Sequence, residues 1–443
     1  MKNGNVFIWS IVIALGGFLF GFDTAVISGA EQSIQVYWQL SSLQLGLTVS
    51  IALIGTIAGA LLGGIPSDRF GRKTTLYIIA ALYLVSSLGT ALATNWYIFL
   101  FFRLMGGLGV GASSVTAPIY ISEISPADKR GKLVGLFQFN VVFGIVVSYL
   151  SNYLIGLTGG HSWRLMLGIQ AIPSVLFLVL LRFVPESPRW LIANRHKVDE
   201  ARQIFKLINP GTADKIVADI LQTNKQERDQ LHNDPLFSKR YRAPVMLAML
   251  FAIFNQVSGI NAIIYYSPRI FEMTGLGRSS SLLSTVGLGI INFTFTLLAM
   301  NFIDRVGRRV LMLIGSVGLI ATLGMVSYSF YISQFNSWAV PIFLFIYIAF
   351  FAFSQGAVIW VFISEIFPNQ VRARGQTLGS TTHWVMAAVI AFSFPYLSEK
   401  AGGGNTFLFF CLMMCMQFVF VWKMMPETKG KSLEQIERTL ILH

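Results

Sequence analysis

The sequence predicts an all-α membrane protein: twelve transmembrane helices in two six-helix halves, with a helical linker bundle on the cytoplasmic side. Three observations predict it. Of 443 residues, 54% are apolar or aromatic and 12% are charged, with a mean hydropathy of +0.64. Soluble proteins carry roughly a quarter charged residues. Apolar runs of bilayer-spanning length, ~20 residues, recur twelve times. Short polar motifs of the first half return in the second at a nearly constant offset. The composition excludes a soluble enzyme, a disordered chain and a fibrous protein. One soluble domain rarely grows past ~250–300 residues, and two would need more charged surface.

The first run, 6–28, follows Met1-Lys2 and ends at Ser28-Gly29-Ala30, the outline of a secretory signal. Its length, and the many similar runs behind it, make it span 1. Spans 2 to 6 are 43–65, 74–94, 96–118, 132–156 and 163–184. The segment 185–242 is the one long polar stretch. Helix formers dominate it (Trp190-Leu191-Ile192-Ala193, Glu200-Ala201-Arg202, then 212–231), so it reads as a small helical bundle. Spans 7 to 12 are 243–271, 281–303, 309–331, 338–363, 375–397 and 405–425, and a short tail, 426–443, closes the chain. The expected domains are therefore 1–184, 185–242, 243–425 and the tail. Continuous apolar runs with in-span glycines favour helices over barrel strands, which alternate over ~10 residues. Cys411 and Cys415, one helical turn apart in span 12, read as small buried residues rather than a disulfide or a metal pair.

There are 33 Lys and Arg against 20 Asp and Glu, a formal charge of +13. Place the N-terminus, every second loop and the C-terminus on one side. That side then holds 28 of the 33 basic residues. The other holds Arg164, Arg269, Arg278 and Lys400, and Arg103 lies inside span 4. Lys and Arg stay on the cytoplasmic face, so both termini are expected in the cytoplasm of a multi-pass protein of the cell's inner membrane. The same bias explains the basic excess without nucleic acid as a partner.

Asp68-Arg69-Phe70-Gly71-Arg72-Lys73 matches Asp304-Arg305-Val306-Gly307-Arg308-Arg309, 236 residues later. Ser122-Glu123-Ile124-Ser125-Pro126 matches Ser364-Glu365-Ile366-Phe367-Pro368 at 242, as Arg130 matches Arg372. Pro185-Glu186-Ser187 matches Pro426-Glu427-Thr428 at 241. Six spans per half give both halves one orientation, hence parallel repeats. That is the plan of secondary transporters, whose substrate site lies near the midplane between repeats. The repeated chemistry is Arg and carboxylate at cytoplasmic helix ends. We expect ion pairs of Arg69 and Arg72, or Arg305 and Arg308, with Glu123, Glu365, Glu186 or Glu427, Asp68, Asp304, Arg130 and Arg372 belonging to the same clusters. These would latch the cytoplasmic side. Solvated surface pairs, worth little, are the plainer reading of any single Arg.

These motifs resemble the signatures of the sugar porter family of the major facilitator superfamily, along nearly the whole chain. Pro185-Glu186-Ser187-Pro188-Arg189-Trp190-Leu191 and Pro426-Glu427-Thr428-Lys429-Gly430 carry the resemblance, together with the Asp68 and Asp304 motifs. Gly21-Phe22-Asp23-Thr24-Ala25-Val26-Ile27-Ser28-Gly29, and Gln256-Val257-Ser258-Gly259-Ile260-Asn261 with Tyr265-Tyr266, add to it. The bacterial sugar–proton symporters of that family are most similar, the facilitative carriers less so. The resemblance implies the major facilitator fold and import of a monosaccharide, pentose or hexose, with a proton. It implies no cofactor and no metal, and a monomer in the lipid bilayer is expected. A facilitative uniporter is the alternative. A non-transporting sensor is a further one, though about 18 residues after span 12 leave little signalling tail.

A sugar needs groups that both donate and accept, as Asn and Gln amides do, and flat aromatic faces for its C–H patches. Span 7 supplies Asn255, Gln256 and Asn261, span 8 Asn292, span 10 Trp360 and span 5 Gln138. The resemblance makes these the sugar contacts, with Phe20 of span 1 and the His383-Trp384 pair of span 11. Asn140 and Asn152 read as interhelical hydrogen-bonding groups. The family has Gln-Gln where this chain has Asn255-Gln256, and Gln or Asn where it has His383. The histidine can hydrogen-bond a hydroxyl and also titrates near neutrality.

Asp23 lies deep in span 1, where an unpaired carboxylate is costly, and Arg103 in span 4 is its natural partner. Near Arg103 the carboxylate stays ionised; apart from it, in an apolar span, it takes a proton. By resemblance the proton symporters have Asp here and the facilitative carriers a neutral residue. The competing reading is a static buried pair. Gly259 and Pro268 weaken a helix interior, so span 7 should break there, with Tyr265 and Tyr266 as an extracellular plug. The Gly356 to Pro368 region of span 10 is a second candidate break. No His-Glu-x-x-His run and no paired intramembrane aspartates occur, and Asp23 as the one deep carboxylate is too few for paired acid–base catalysis, so no enzyme is expected.

Overall fold

A computed structural model describes residues 4–126, 129–159, 162–208, 211–229, 235–332, 338–368, 371–431 and 435; most of the 426–443 tail lies outside them. Among these residues the regular structure is helical. The first stretches are α1 (Gly4–Tyr37), α2 (Ser42–Leu62), the short α3 (Gly64–Phe70), α4 (Arg72–Leu92), α5 (Trp96–Ile124) and α6 (Arg130–Gly156). The seven-residue α7 (Ser162–Gly168) and α8 (Ala171–Leu180) make the sixth apolar crossing. Three polar helices follow, α9 (Pro188–Arg195), α10 (Val198–Ile208) and α11 (Ala213–Asp229). Then come α12 (Arg242–Val257), α13 (Ile260–Met273), α14 (Arg278–Val306), α15 (Arg308–Ile332), α16 (Ala339–Phe353), α17 (Gln355–Glu365) and α18 (Arg372–Met424).

Among the described residues, eleven stretches are long and apolar enough to cross a membrane. The last, α18, has 53 residues and a non-helical Gly402 (φ 79°, ψ 159°) inside it. At ~1.5 Å per residue it would be far longer than the ~30 Å hydrocarbon core. It therefore holds two helices, the expected spans 11 and 12. The others coincide with the expected spans to within a few residues, with one main exception. Span 1 was expected to end at 28, and α1 runs to Tyr37 because its outer polar groups find partners.

The chain divides into two compact units. One comprises 1–26, 54–148 and 164–233; the other comprises 27–53, 149–163 and 234–443. In the first unit, α1 and α6 meet backbone to backbone. A Cβ on Gly21 would lie 1.9 Å from the Val141 carbonyl oxygen, and one on Gly144 would lie 2.2 Å from that of Phe18. Without a hydrophobic drive inside lipid, such close approach of small residues supplies the packing. The α9–α11 bundle belongs to this unit's core: Trp190, Leu191, Ala201, Phe205 and Ile208 join Leu76, Tyr120 and Ile124. Ser187 caps α9 by accepting the Trp190 N–H, Pro188 opens the helix, and the Trp190 indole donates to the Asp68 carbonyl at 2.7 Å. In the second unit Phe251, Val358, Phe362, Phe367 and Val421 form the core. Large apolar side chains stay exposed along the spanning helices of both, among them Ile78, Phe101, Leu176, Val317 and Leu412. Such exteriors suit hydrocarbon rather than water.

Candidate functional site

In the second unit the backbone breaks where span 7 was expected to break. Gly259 takes φ +85°, α12 ends at Val257 and α13 begins at Ile260. A Cβ at Gly259 would sit 2.6 Å from the Phe410 ring, so the position requires glycine twice over. The carbonyls freed at the break are taken up locally. Ser258 Oγ donates to Asn255 O, and Tyr347 Oη to Ser258 O at 2.9 Å. Further along, Pro268 has no N–H for the Ile264 carbonyl four residues back. The Tyr149 hydroxyl donates to it instead, at 2.9 Å. Tyr266 leaves helical geometry (φ −122°, ψ 16°).

The expected amides meet at this break. Asn261 Nδ2 donates to Gln256 Oε1 at 2.7 Å. Gln256 Nε2 donates to Asn255 Oδ1 at 3.0 Å and lies 3.2 Å from both ring nitrogens of His383. His383 is flanked by Trp360 and Trp384, with ring centroids 4.9 and 5.0 Å away. Each ring nitrogen of His383 donates or accepts according to the tautomer. The cluster thus offers amide donors and acceptors, an imidazole and indole faces. Asn292 is buried on α14, outside this hydrogen-bonded chain. Tyr265 and Tyr266 are buried rather than exposed, Tyr266 donating to Ala391 O at 2.8 Å and stacking on Phe394. Span 10 breaks at Ser354 (φ −117°, ψ −88°), two residues before Gly356.

Sequence reasoning passed over Gln355 and Gln417. Gln355, fully buried at the span-10 break, donates from Nε2 to Gln417 Oε1 at 2.7 Å. A glutamine in the middle of an apolar run was the available signal. It also passed over Glu31. This carboxylate is 0% exposed and receives Arg269 Nε at 3.0 Å and Nη2 at 2.6 Å, while Arg269 also donates to Gln35 Oε1. Asp23 is therefore not the one buried carboxylate. Helix periodicity past residue 28 would have kept Glu31 inside span 1.

In the first unit Asp23 Oδ1 accepts from Arg103 Nη1 at 3.2 Å, and both side chains are 3% exposed. Gly106, one turn from Arg103, makes room; a Cβ there would be 3.4 Å from Asp23 Oδ1. Phe20 faces Phe137, the neighbour of Gln138, with centroids 6.4 Å apart, and both Phe20 and Gln138 are half-buried.

The repeated polar motifs build one device twice. Arg72 donates from Nε and Nη2 to Glu123, each at 3.0 Å, and from Nη1 to Asp68 at 2.8 Å. Arg308 pairs with Glu365 at 2.8 Å and Asp304 at 2.9 Å. Glu186 accepts the backbone N–H groups of Arg72 and Lys73 at the start of α4. Glu427 does the same for Arg308 and Arg309 at the start of α15. Each carboxylate answers the positive end of a helix. Arg69, Arg305, Arg130 and Arg372 do not join these clusters as expected. Gly71 and Gly307, at φ +103° and +101°, turn the chain between the two basic residues of each motif. The second then faces the carboxylates, and Arg69 and Arg305 remain exposed, Arg69 over the Phe70 ring. Arg130 lies beside Arg189, which its charge and burial push below the ordinary arginine value, burial counting most. Arg372 bonds the Phe367 carbonyl.

Comparison with known proteins completes the picture. The family model described as "Sugar (and other) transporter" matches residues 9–440. The D-xylose-proton symporter of Escherichia coli is 36% identical over 475 residues, spanning 98% of this chain and 96% of its own. The arabinose-proton symporter of Bacillus subtilis is 36% identical over 444 residues, spanning 99% and 96%. The inward open conformation of the xylose transporter XylE from E. coli superposes with a TM-score of 0.87 at 34% identity, covering 98% of this chain and 100% of that one. A family match over nearly the whole length, with relatives more than a third identical from end to end, makes this chain a member of the sugar porter family of the major facilitator superfamily.

Proposed function

We propose that the protein imports a monosaccharide together with a proton by alternating access, with residues 1–184 and 243–425 as its two bodies. It would lie in the cell's inner membrane with both termini in the cytoplasm. The observation that carries proton coupling is the Asp23–Arg103 pair, two opposite charges almost fully removed from solvent. A buried carboxylate is tolerated while its charge is balanced. When the partners part, it takes a proton, so any movement that changes their separation moves a proton. Two relatives of this length are named as proton symporters, which supports the same reading.

The sugar is held by Asn255, Gln256, Asn261 and His383 with Trp360 and Trp384, and Gln138, Phe20 and Asn292 add contacts. Amides already fixed by one another need little ordering when a hydroxyl ring arrives. The Arg72 and Arg308 clusters serve as cytoplasmic latches, and the buried Tyr265 and Tyr266 as the outer gate, swinging about Gly259. The test is sugar-induced proton uptake in lightly buffered proteoliposomes, over pentoses, hexoses and inositol. We expect alkalinisation with one sugar, and its loss in Asp23→Asn with labelled-sugar exchange retained. Uphill accumulation surviving in that variant overturns the role of Asp23. Exchange without any pH change in the native protein makes it a facilitative uniporter.

A further inference from the structure

One buried face of α5 carries polar side chains on either side of a glycine-rich stretch. Arg103, Gly106, Ser113, Thr116 and Tyr120 follow at spacings of three, seven, three and four, and all are buried. From Arg103 to Tyr120 the helix advances about 26 Å, most of a ~30 Å hydrocarbon core. The hydroxyls of Ser113, Thr116 and Tyr120 make no hydrogen bond of standard geometry, nor does that of Tyr83 on α4. Buried polar groups left so by the protein are the ones internal water satisfies.

Three helices place these groups in one register. On α1, Asp23 lies against Gly106, and Gly16, two turns back, lies against Ser113, whose Oγ would be 2.7 Å from a Cβ there. Seven residues on α1 thus match seven on the antiparallel α5. On α4, Ser86 meets Gly106 and Tyr83 meets Gly109. The Tyr83 hydroxyl lies in the field of Asp23 and faces Ser113. At the far end Tyr120 lies in the fields of Glu186 and Glu123. Among the described residues, Arg103 from α5 and Tyr83 from α4 are thus titratable groups that face Asp23. The terminal carboxylates face Arg72 and the α4 N-terminus.

We propose that Tyr83, Ser113, Thr116 and Tyr120 form, with internal waters, a proton-conducting chain from Asp23 to the Glu123 and Glu186 carboxylates at the Lys/Arg-rich end. It rests on the reading of Asp23 as the coupling carboxylate. The O–H bond of the Asp23 carboxylic acid breaks and its proton passes to the first water. Each oxygen along the chain receives one proton and gives up one, so no hydroxyl changes its charge. Glu186 or Glu123 takes the last proton and releases it to the aqueous phase, and Asp23 is again the carboxylate that pairs with Arg103. Burial, opposed by backbone N–H groups, holds the Glu186 carboxyl above the ordinary value, which suits it to carry a proton. Along α5 the steps from Ser113 to Thr116 and from Thr116 to Tyr120 are about 4.5 and 6 Å, water-sized, and the Tyr83 hydroxyl spans the longer stretch between the level of Asp23 and Ser113.

The test uses the full chain in proteoliposomes with a lumenal pH dye. Tyr83→Phe, Ser113→Ala and Thr116→Val remove hydroxyls that make no hydrogen bond of standard geometry, and the triple variant should fold. Labelled-sugar exchange is the control for folding. We expect exchange near the native rate, with lumenal proton release about a hundredfold slower, the scale of a lost positioned proton-transfer group. Ser113→Thr and Thr116→Ser, which keep the hydroxyls, should retain native proton release. Native proton release in the triple variant overturns the chain while leaving Asp23→Asn to judge the coupling site. If Asp23→Asn itself still accumulates sugar uphill, the symport reading falls and the chain falls with it. If the triple variant loses exchange, Tyr83→Phe alone decides, and native proton release in it overturns the proposal.

Discussion

Gly71 and Gly307 show why the repeated motif needs glycine at its centre. A Cβ at either would collide with the carboxylate of Glu186 or Glu427, at 2.3 and 2.7 Å, and the positive φ excludes most L side chains. The two carboxylates sit alike but titrate apart. Burial lifts Glu186 above the ordinary carboxylate value, against the N–H groups of Ser187, Lys73 and Arg72. Burial pushes Glu427 the same way, but the N–H groups of Lys429, Arg309, Arg308 and Thr428 outweigh it and hold it below. For Glu427 the stabilisation is present above the unfolded value, about 4.3, and is lost as pH falls through the folded one. For Glu186 the folded state holds the proton more tightly, so stability is highest below the unfolded value and declines as pH rises through the folded one. Glutamine titrates at neither place. Glu427→Gln should therefore cost most at neutral pH and less in acid, and Glu186→Gln most in acid and less at neutrality. Thermal unfolding in detergent between about pH 4 and 7 measures both, and parallel curves would contradict the asymmetry.

At the scale of the element, broken helices carry the polar cluster, and their breaks were only partly legible. Gly259 and Pro268 announced the span-7 break because each has a backbone property written in its residue type. The span-10 break falls at Ser354, a residue with no such property; its Oγ and backbone N–H both bond the Phe350 carbonyl. The length of α1 is not legible, because Glu31 and Gln35 look like the end of a span. They are satisfied by Arg269, more than 230 residues away, and no local pattern reveals such a partner. The amides Asn255, Gln256 and Asn261 were legible as polar groups in an apolar run, and their mutual hydrogen bonds needed the fold. The same holds for Tyr149, which replaces the hydrogen bond that Pro268 denies to Ile264. Tyr149→Phe should leave that buried carbonyl unpaired, at about 1–3 kcal/mol, lowering the unfolding temperature in detergent. An unchanged melting curve would show that the α13 kink does not depend on the bond.

At the scale of the whole molecule, the repeat and the charge bias describe one constraint. Both copies of the Asp-Arg-x-Gly-Arg motif use fixed Arg–carboxylate clusters at helix ends, which requires the same end of each half to meet water. The spans were legible because lipid leaves the backbone no partner but itself, so each crossing must be a long apolar helix. Which end faces the cytoplasm follows from a different physics, the retention of Lys and Arg during insertion. With 28 of 33 basic residues on the side of the α9–α11 bundle, that bundle should lie inside the cell. The two native cysteines, Cys411 and Cys415, both lie in α18 and can be replaced by alanine. In that background a single cysteine at Glu200, exposed on α10, should resist a membrane-impermeant maleimide in intact cells and react once they are opened. A cysteine at Lys400, exposed near the Gly402 break, should react in both. The reverse pattern would place the Arg72 and Arg308 clusters, and the far end of the hydroxyl chain, outside the cell. Proton flow from Asp23 toward those carboxylates would then run against import.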